Sequence, residues 1–223
     1  LLVLYGHQPR LGTRTSTSVR DQAYSTPVPL AYVASRLAGV TAETTIYEPT
    51  AGNGALLIEA NPSKVLANEI NPGRRANLEE QGFKVTGNDA SEMKQAAAGY
   101  DVVLANPPFG TVREWRPGLA KGETESKVFD LTDIRPQYMT REIDQAIALR
   151  ALGNMDNDGR AVLLVGGLNK LVSTPEGRAA GYNSQSKVHF YKTLYDLYNV
   201  TDHFTVAGEL YERRDMWEPH GRL

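Results

Sequence analysis

The sequence contains no cysteine, which excludes a disulfide framework and removes thiolates from any metal site. Its four histidines, His7, His189, His203 and His220, are scattered and have no acidic partners at ligand spacing, so no bound metal is expected. No run of about 18 apolar residues could span a bilayer. Leu1 to Tyr5 is too short for the core of a secretory signal, and the chain is therefore expected inside the cell and off the membrane. An excess of one charge is lacking too: 24 Lys and Arg stand against 26 Asp and Glu, a formal charge of −2. A surface that is basic all over is thereby excluded, and any contact with nucleic acid has to come from local patches. Internal repeats and low-complexity tracts are absent. The chain starts at Leu1 and not at a methionine, from which a piece of a longer polypeptide with further domains is expected.

What is present is an ordinary globular composition: 223 residues, 41% hydrophobic and 22% charged, enough for one domain with a substantial core. From residue 44 onward, apolar strand-like runs alternate with helical stretches, the pattern of an α/β protein whose mainly parallel sheet carries helices on both faces. Strands are expected at Thr44 to Glu48, Lys64 to Glu69, Phe83 to Thr86, Asp101 to Ala105 and Arg160 to Val165, with two more at Thr201 to Ala207 and Glu209 to Arg213. That makes a sheet of about seven strands. Helices are expected from Pro72 to about Gln81, near Ser91 to Ala98, from Arg141 to Met155 and from Lys187 to Tyr198. Ahead of the sheet, Ser25-Thr26-Pro27 reads as a hydroxyl cap followed by a first-turn proline, opening a helix over Leu30 to Leu37.

In such sheets ligands sit beyond the carboxyl ends of the strands, where the strand order reverses. The chemistry-bearing residues gather there. Glu48-Pro49-Thr50-Ala51-Gly52-Asn53-Gly54 places an acid at a strand end, then two glycines where the backbone must turn tightly and approach a ligand. The segment lacks the third glycine of a dinucleotide fingerprint and the Gly-Lys-Ser/Thr of a phosphate loop, so an uncharged or zwitterionic ligand fits it better than a nucleotide phosphate. Glu69 ends the next strand, where a carboxylate can accept from both hydroxyls of a ribose. Asp89 follows the third, able to accept from an adenine amine. The plainer roles are a surface carboxylate for Glu69 and a turn cap for Asp89.

The fourth strand delivers Asn106-Pro107-Pro108-Phe109. An amine attached to an aromatic base is a poor nucleophile because its lone pair is delocalised, so it needs acceptors at its two hydrogens. Asn106 offers a side-chain oxygen. The proline pair fixes the backbone, has no amide donor, and leaves the Pro107 carbonyl as a second acceptor, with Pro108 stiffening the turn. Phe109 supplies a flat face for a base turned out of its stack, worth roughly 1 to 3 kcal/mol.

Taken in order, these segments resemble the class I S-adenosylmethionine-dependent methyltransferases. Glu48 to Gly54 is similar to their first cofactor motif, Asn68-Glu69-Ile70 to the second and Asn88-Asp89-Ala90 to the third. Tyr24-Ser25-Thr26-Pro27 is similar to the motif that precedes the sheet in the amino-methyltransferases. The resemblance implies a Rossmann-like fold and S-adenosylmethionine as cofactor. By resemblance, Glu48, Pro49, Ala51, Gly52 and Gly54 pack against the methionine part, Tyr24, Ser25 and Thr26 lie near its carboxylate, Glu69 holds the ribose and Asp89 contacts the adenine, with Ile70, Ala90 and Asn106 also cofactor-binding. Asn106 to Phe109 resembles the catalytic motif, and its place after the cofactor motifs resembles the gamma class of DNA adenine-N6 enzymes. The absence of cysteine excludes the thiolate route of cytosine-C5 enzymes. DNA is thus the expected partner, and transfer to the adenine N6 amine the expected reaction. Similar tetrapeptides occur in ribosomal RNA guanine-N2 and release-factor glutamine methyltransferases, and a silent module of a larger protein is a further alternative. The chain is also similar to methylase modules of large phage or plasmid anti-restriction proteins, as in restriction-modification.

The resemblance divides the chain into a segment 1–40 carrying the Ser-Thr-Pro motif, a catalytic domain 41–215, and a tail 216–223. Residues 110–140 are read as a long substrate-facing loop, separate from the core. Arg113, Trp115, Arg116, Lys121 and Lys127 within it mix cations with an aromatic, as a nucleic-acid surface does, although Glu114, Glu123 and Glu125 oppose them. Arg160, Lys170, Arg178, Lys187 and Lys192 could flank the same groove, while His189, Tyr191, Tyr195 and Tyr198 read as helix packing.

Overall fold

The computed structural model of the chain describes residues 26–93, 99–166, 176 and 185–206. Five strands pair in parallel in the order β3-β2-β1-β4-β9: β1 Ile46–Glu48, β2 Val65–Asn68, β3 Lys84–Thr86, β4 Tyr100–Ala105 and β9 Met155–Leu163. β1 is buried along its whole length, as the centre of a sheet covered on both faces requires. Side-chain alternation divides the core in two. Ile46, Val65, Ala67, Val102 and Leu104 pack with Ala31, Ala34 and Ala38 of helix α1 (Val28–Ala38) and Leu78 of helix α2 (Pro72–Glu80). On the other face Tyr47 and Val103 meet Ala151 of helix α3 (Ile143–Leu152). The chain passes from β1 outward through β2 to β3, then returns to place β4 on the other side of β1. The order therefore reverses beside β1, and a crevice lies beyond the ends of β1 and β4.

The α/β class and the parallel sheet agree with the sequence; several details do not. Five strands, and not seven, pair among the described residues of the sheet. Residues 201–206, expected as a strand, form none, and the expected strand at Glu209 lies outside the described residues. Of the helix expected at Ser91 to Ala98, residues 90–92 form only a turn and 94–98 lie outside the described residues. The hydroxyl cap expected ahead of α1 is also absent: Pro27 occupies the cap position, and its carbonyl accepts from Ala31 at 2.9 Å. Tyr24 and Ser25 lie outside the described residues.

The largest difference is in residues 110–140. Two antiparallel hairpins fold there, β5 (Arg113–Glu114) with β6 (Glu125–Ser126) and β7 (Phe129–Asp130) with β8 (Met139–Thr140). The second is core: Phe129, Leu131 and Tyr138 are buried against Ala146, Leu149 and Leu152 of α3 and Phe190 of helix α4 (Gln185–Leu197). These apolar side chains are separated by turns, so they cover α3 without showing a helix or strand period. On α4, Tyr191 and Tyr198 pack against this cluster, whereas Tyr195 is exposed.

Candidate active site

Three loops beyond β1, β2 and β3 are tied together by one buried amide. The Asn68 side chain donates to the carbonyls of Pro49 at 3.0 Å and Asn88 at 2.9 Å. Its oxygen accepts from the Thr86 hydroxyl at 2.7 Å and from the Asn88 amide at 2.9 Å. The Ala51 amide adds a bond to the Asn68 carbonyl at 2.9 Å. Asn68 was expected only as part of a motif; as the hub of the loops it was missed, because its partners lie 19 and 20 residues away and leave no local signal.

The two loop glycines do different work. Gly52 has φ 59° and nothing within 4 Å of the position a Cβ would occupy, so it borders open space. At Gly54, with φ 81°, a Cβ would stand 3.0 Å from Leu78, so this glycine lets the loop pack on α2 and does not face a ligand.

Glu48 is 2% exposed, and burial, followed by the charge of Glu69, pushes its carboxyl up to about 8. Its Oε2 and the Thr50 hydroxyl are buried without a hydrogen-bond partner. Such atoms are costly unless a ligand meets them. Glu69 is already engaged: Oε2 accepts from Gly52 N at 2.9 Å, and Oε1 from Asn71 N at 2.7 Å and from the Arg74 guanidinium at 2.9 Å. A carboxylate has about four acceptor sites, so room remains at Oε2. Ile70, 59% exposed, extends an apolar side chain at the rim, and Ala90 is buried. Asp89 has the capping role: Oδ1 accepts from Ser91 N at 2.9 Å and from its hydroxyl at 2.7 Å. The other oxygen faces Lys127 at 3.8 Å. Two orphaned polar atoms, an open glycine and an exposed apolar rim form a donor set that suits a zwitterionic nucleoside such as S-adenosylmethionine.

Asn106 follows β4, the strand paired with the one that ends in Glu48. Its side-chain nitrogen donates to the Thr26 hydroxyl at 2.7 Å, a contact between residues 80 apart. This takes Thr26 away from capping α1 and leaves the Asn106 oxygen as the free end of the amide. Pro107 is buried, Pro108 is half-buried, and Phe109 is 37% exposed. The chain then meets Asp144, a buried residue that sequence reasoning missed. Its oxygens accept from Gly110 N at 3.3 Å and Gly166 N at 2.8 Å. Burial raises the Asp144 carboxyl, and these amides and Lys187 counter that rise.

The expected nucleic-acid residues are not brought into one basic face. Arg113 donates to Thr124, and Arg116 pairs with Glu114 at 2.7 Å and Glu125 at 3.2 Å. Lys127 binds Glu92 at 2.7 Å and lies 5.0 Å over the Phe129 ring, so it sits with Asp89 at the loop that follows β3. Trp115 and Lys121 are exposed on the first hairpin and the turn that closes it. No group of His and acidic residues among those described could hold a metal ion, and no described helix is long and apolar enough to cross a membrane.

No protein-family model matches the chain, and no curated protein matches it either. Solved structures do. A modification subunit assigned to a type I restriction enzyme of Vibrio vulnificus YJ016 is 15% identical over 76% of this chain and 37% of its own, with a TM-score of 0.51. TrmN from Thermus thermophilus is 20% identical over 70% and 44%, TM-score 0.42. A TehB-like SAM-dependent methyltransferase from Corynebacterium glutamicum is 10% identical over 72% and 71%, TM-score 0.39. The chain spans 37% to 59% of the lengths of the first solved structures it matches. Its five-stranded parallel sheet with flanking helices is the Rossmann-like class I methyltransferase fold.

Proposed function

We propose that this chain transfers a methyl group from S-adenosylmethionine to the N6 amine of adenine in DNA. The observation that carries the proposal is the Asn106 amide, whose nitrogen is occupied by Thr26 at 2.7 Å so that its oxygen is left to accept from an amine. Glu48, Pro49, Ala51, Gly52, Glu69, Ile70, Asp89 and Ala90 hold the cofactor, which when bound supplies a sulfonium methyl. The Asn106 oxygen and the Pro107 carbonyl accept hydrogen bonds from the two amine hydrogens and turn the nitrogen lone pair out of the ring, and the methylated nitrogen then releases one proton to solvent. Phe109 supports the base face. Holding a nucleophile in this attitude supplies several kcal/mol, roughly 7 to 11 in the best cases. None of these groups needs to form a bond to the substrate.

The choice of adenine in DNA rests on the resemblance of Asn106 to Phe109 and its position after the cofactor motifs. The modification subunit that shares the fold is in keeping with it. The test is incubation with methyl-labelled S-adenosylmethionine and unmethylated DNA, ribosomal RNA or release factor, followed by analysis of the digested products. N6-methyladenine is the expected product. Label in RNA or protein alone would replace the substrate, and cofactor binding without transfer to any of them would favour a silent module. Asn106→Ala should lower kcat by at least about 100-fold and leave cofactor affinity near the parent value, whereas Glu69→Ala should weaken the cofactor first. Equal losses of both quantities in Asn106→Ala would contradict the assigned role.

A further inference from the structure

Asp144 stands in the first turn of α3 and is 1% exposed. Its acceptor atoms serve residues far away in sequence. Oδ1 takes the amide of Gly110, 34 residues upstream, and Oδ2 that of Gly166, 22 residues downstream. Both glycines are held a second time: the Gly110 carbonyl accepts from Ile143 N at 2.8 Å, and the Gly166 carbonyl accepts from the Lys187 ammonium. One carboxylate thus joins the chain leaving β4, directly after the tetrapeptide, to the chain leaving β9. At the junction a Cβ on Gly166 would stand 3.4 Å from the Phe109 Cβ, so the two exits are in contact beside the exposed ring.

α3 does not need this carboxylate to pack. Its buried residues are otherwise Gln145, which accepts from Thr140, and the apolar Ala146, Ile147, Ala148, Leu149, Ala151 and Leu152, and a buried charge is costly unless it is fully hydrogen-bonded. The group is placed where the sheet cannot hold the chain, since β4 ends at Ala105 and β9 at Leu163.

We propose that Asp144 is a positioning residue for methyl transfer: by joining Gly110 to Gly166 it sets the gap between Phe109 and the chain leaving β9, and with it the attitude in which the target base presents its amine. The proposal rests on the reading of Asn106 to Phe109 as the transfer site. Lys187 supports it by holding the far side of Gly166.

The test uses the full chain and a substrate that it methylates. Asp144→Asn keeps the shape but can accept from only one of the two amides at a time. It should lower kcat on the order of 100-fold, as a displacement of about 1 Å at a reacting group does. Cofactor affinity by calorimetry should stay within about twofold, because the cofactor loops are tied by Asn68. Amide exchange at Gly110 and Gly166 should accelerate together. Lys187→Met, which leaves Asp144 in place, should show a smaller loss confined to kcat, and it decides the matter if Asp144→Asn does not fold. Unchanged kcat, or equal losses of kcat and cofactor affinity, would overturn the proposal. A parent chain that methylates nothing would remove the transfer reading by itself; unchanged exchange at Gly110 in Asp144→Asn would then show that the clamp does not exist.

Discussion

The amide of Asn106 can be turned two ways, and only one of them presents an oxygen to an incoming amine. With the amide reversed, two N–H donors would face the two N–H donors of the target. Thr26 holds the amide in the turn that the proposed reaction requires, its hydroxyl oxygen accepting from the Asn106 nitrogen at 2.7 Å. Thr26→Val keeps the volume and removes the acceptor, so kcat should fall by roughly twofold to tenfold, the loss of one neutral hydrogen bond of about 0.5 to 1.5 kcal/mol. Thr26→Ser should restore it. Steady-state kinetics on the two variants check this, and equal activity of both would remove Thr26 from the mechanism. A second residue-scale prediction concerns Glu48. Its carboxyl, ordinarily ionising at 4.5, holds its proton to about 8 because of burial and the charge of Glu69. Below the lower value both folded and unfolded chains are protonated and nothing is lost. As pH rises through the window, the unfolded chain releases its proton while the folded one keeps it, and stability falls; above the upper value the loss is constant. The cofactor-free chain should therefore lose stability relative to Glu48→Gln between about pH 5 and pH 8, at up to roughly 1 kcal/mol per unit. Thermal midpoints across that range measure it, and a constant difference between the two proteins would refute the raised ionisation.

At the scale of elements, the inner strands were legible because each is a short apolar run bounded by Gly, Pro or Asn, and the structure moves their expected ends by only one or two residues. β9 was legible only in its second half. As an edge strand it begins with Met155, partly buried, and then Asp156 to Asp158, polar and exposed, where no apolar run marks the backbone pairing. The site divides in the same way. The loop acids and the tetrapeptide could be read as motifs, whereas Asn68, Thr26 as a partner of Asn106, and Asp144 act through contacts 18 to 80 residues long in sequence. The second hairpin escaped because Phe129, Leu131 and Tyr138 become one apolar surface only after the turns between them fold. Its role as core gives a prediction. Leu131 is fully buried, so Leu131→Ala should destabilise the chain by about 2 to 5 kcal/mol. Chemical denaturation would show it, and a loss below about 1 kcal/mol would mean that the hairpin folds over the core without supporting it.

For the molecule as a whole, charge limits how a polyanion can be held. The formal charge is −2, and about half of the described cations are already paired with carboxylates. Arg116 is matched by Glu114 and Glu125, Lys127 by Glu92, Arg135 by Asp196 and Arg150 by Asp133. A phosphate would have to displace these carboxylates, so counterion release adds little to binding by this region. The remaining attraction is to the base, through the exposed rings of Phe109 and Trp115. If stacking on these rings carries the binding, the logarithm of the binding constant should fall with the logarithm of salt concentration at a slope no steeper than about −2, since each neutralised phosphate contributes roughly −0.9 on duplex and −0.7 on single strands. Trp115→Ala should then weaken binding without changing that slope. A slope near −5 would instead require about five or six phosphate contacts. Lys84, Lys121, Arg141 and Arg160, which no carboxylate pairs among the described residues, would supply part of them, and Arg10, Arg14, Arg20, Lys170 and Arg178, outside the described residues, the rest. Replacing Arg10, Arg14 and Arg20 together would then flatten the slope, which is how titrations of the parent and that variant over a range of salt concentrations separate recognition by stacked bases from recognition by a basic arm.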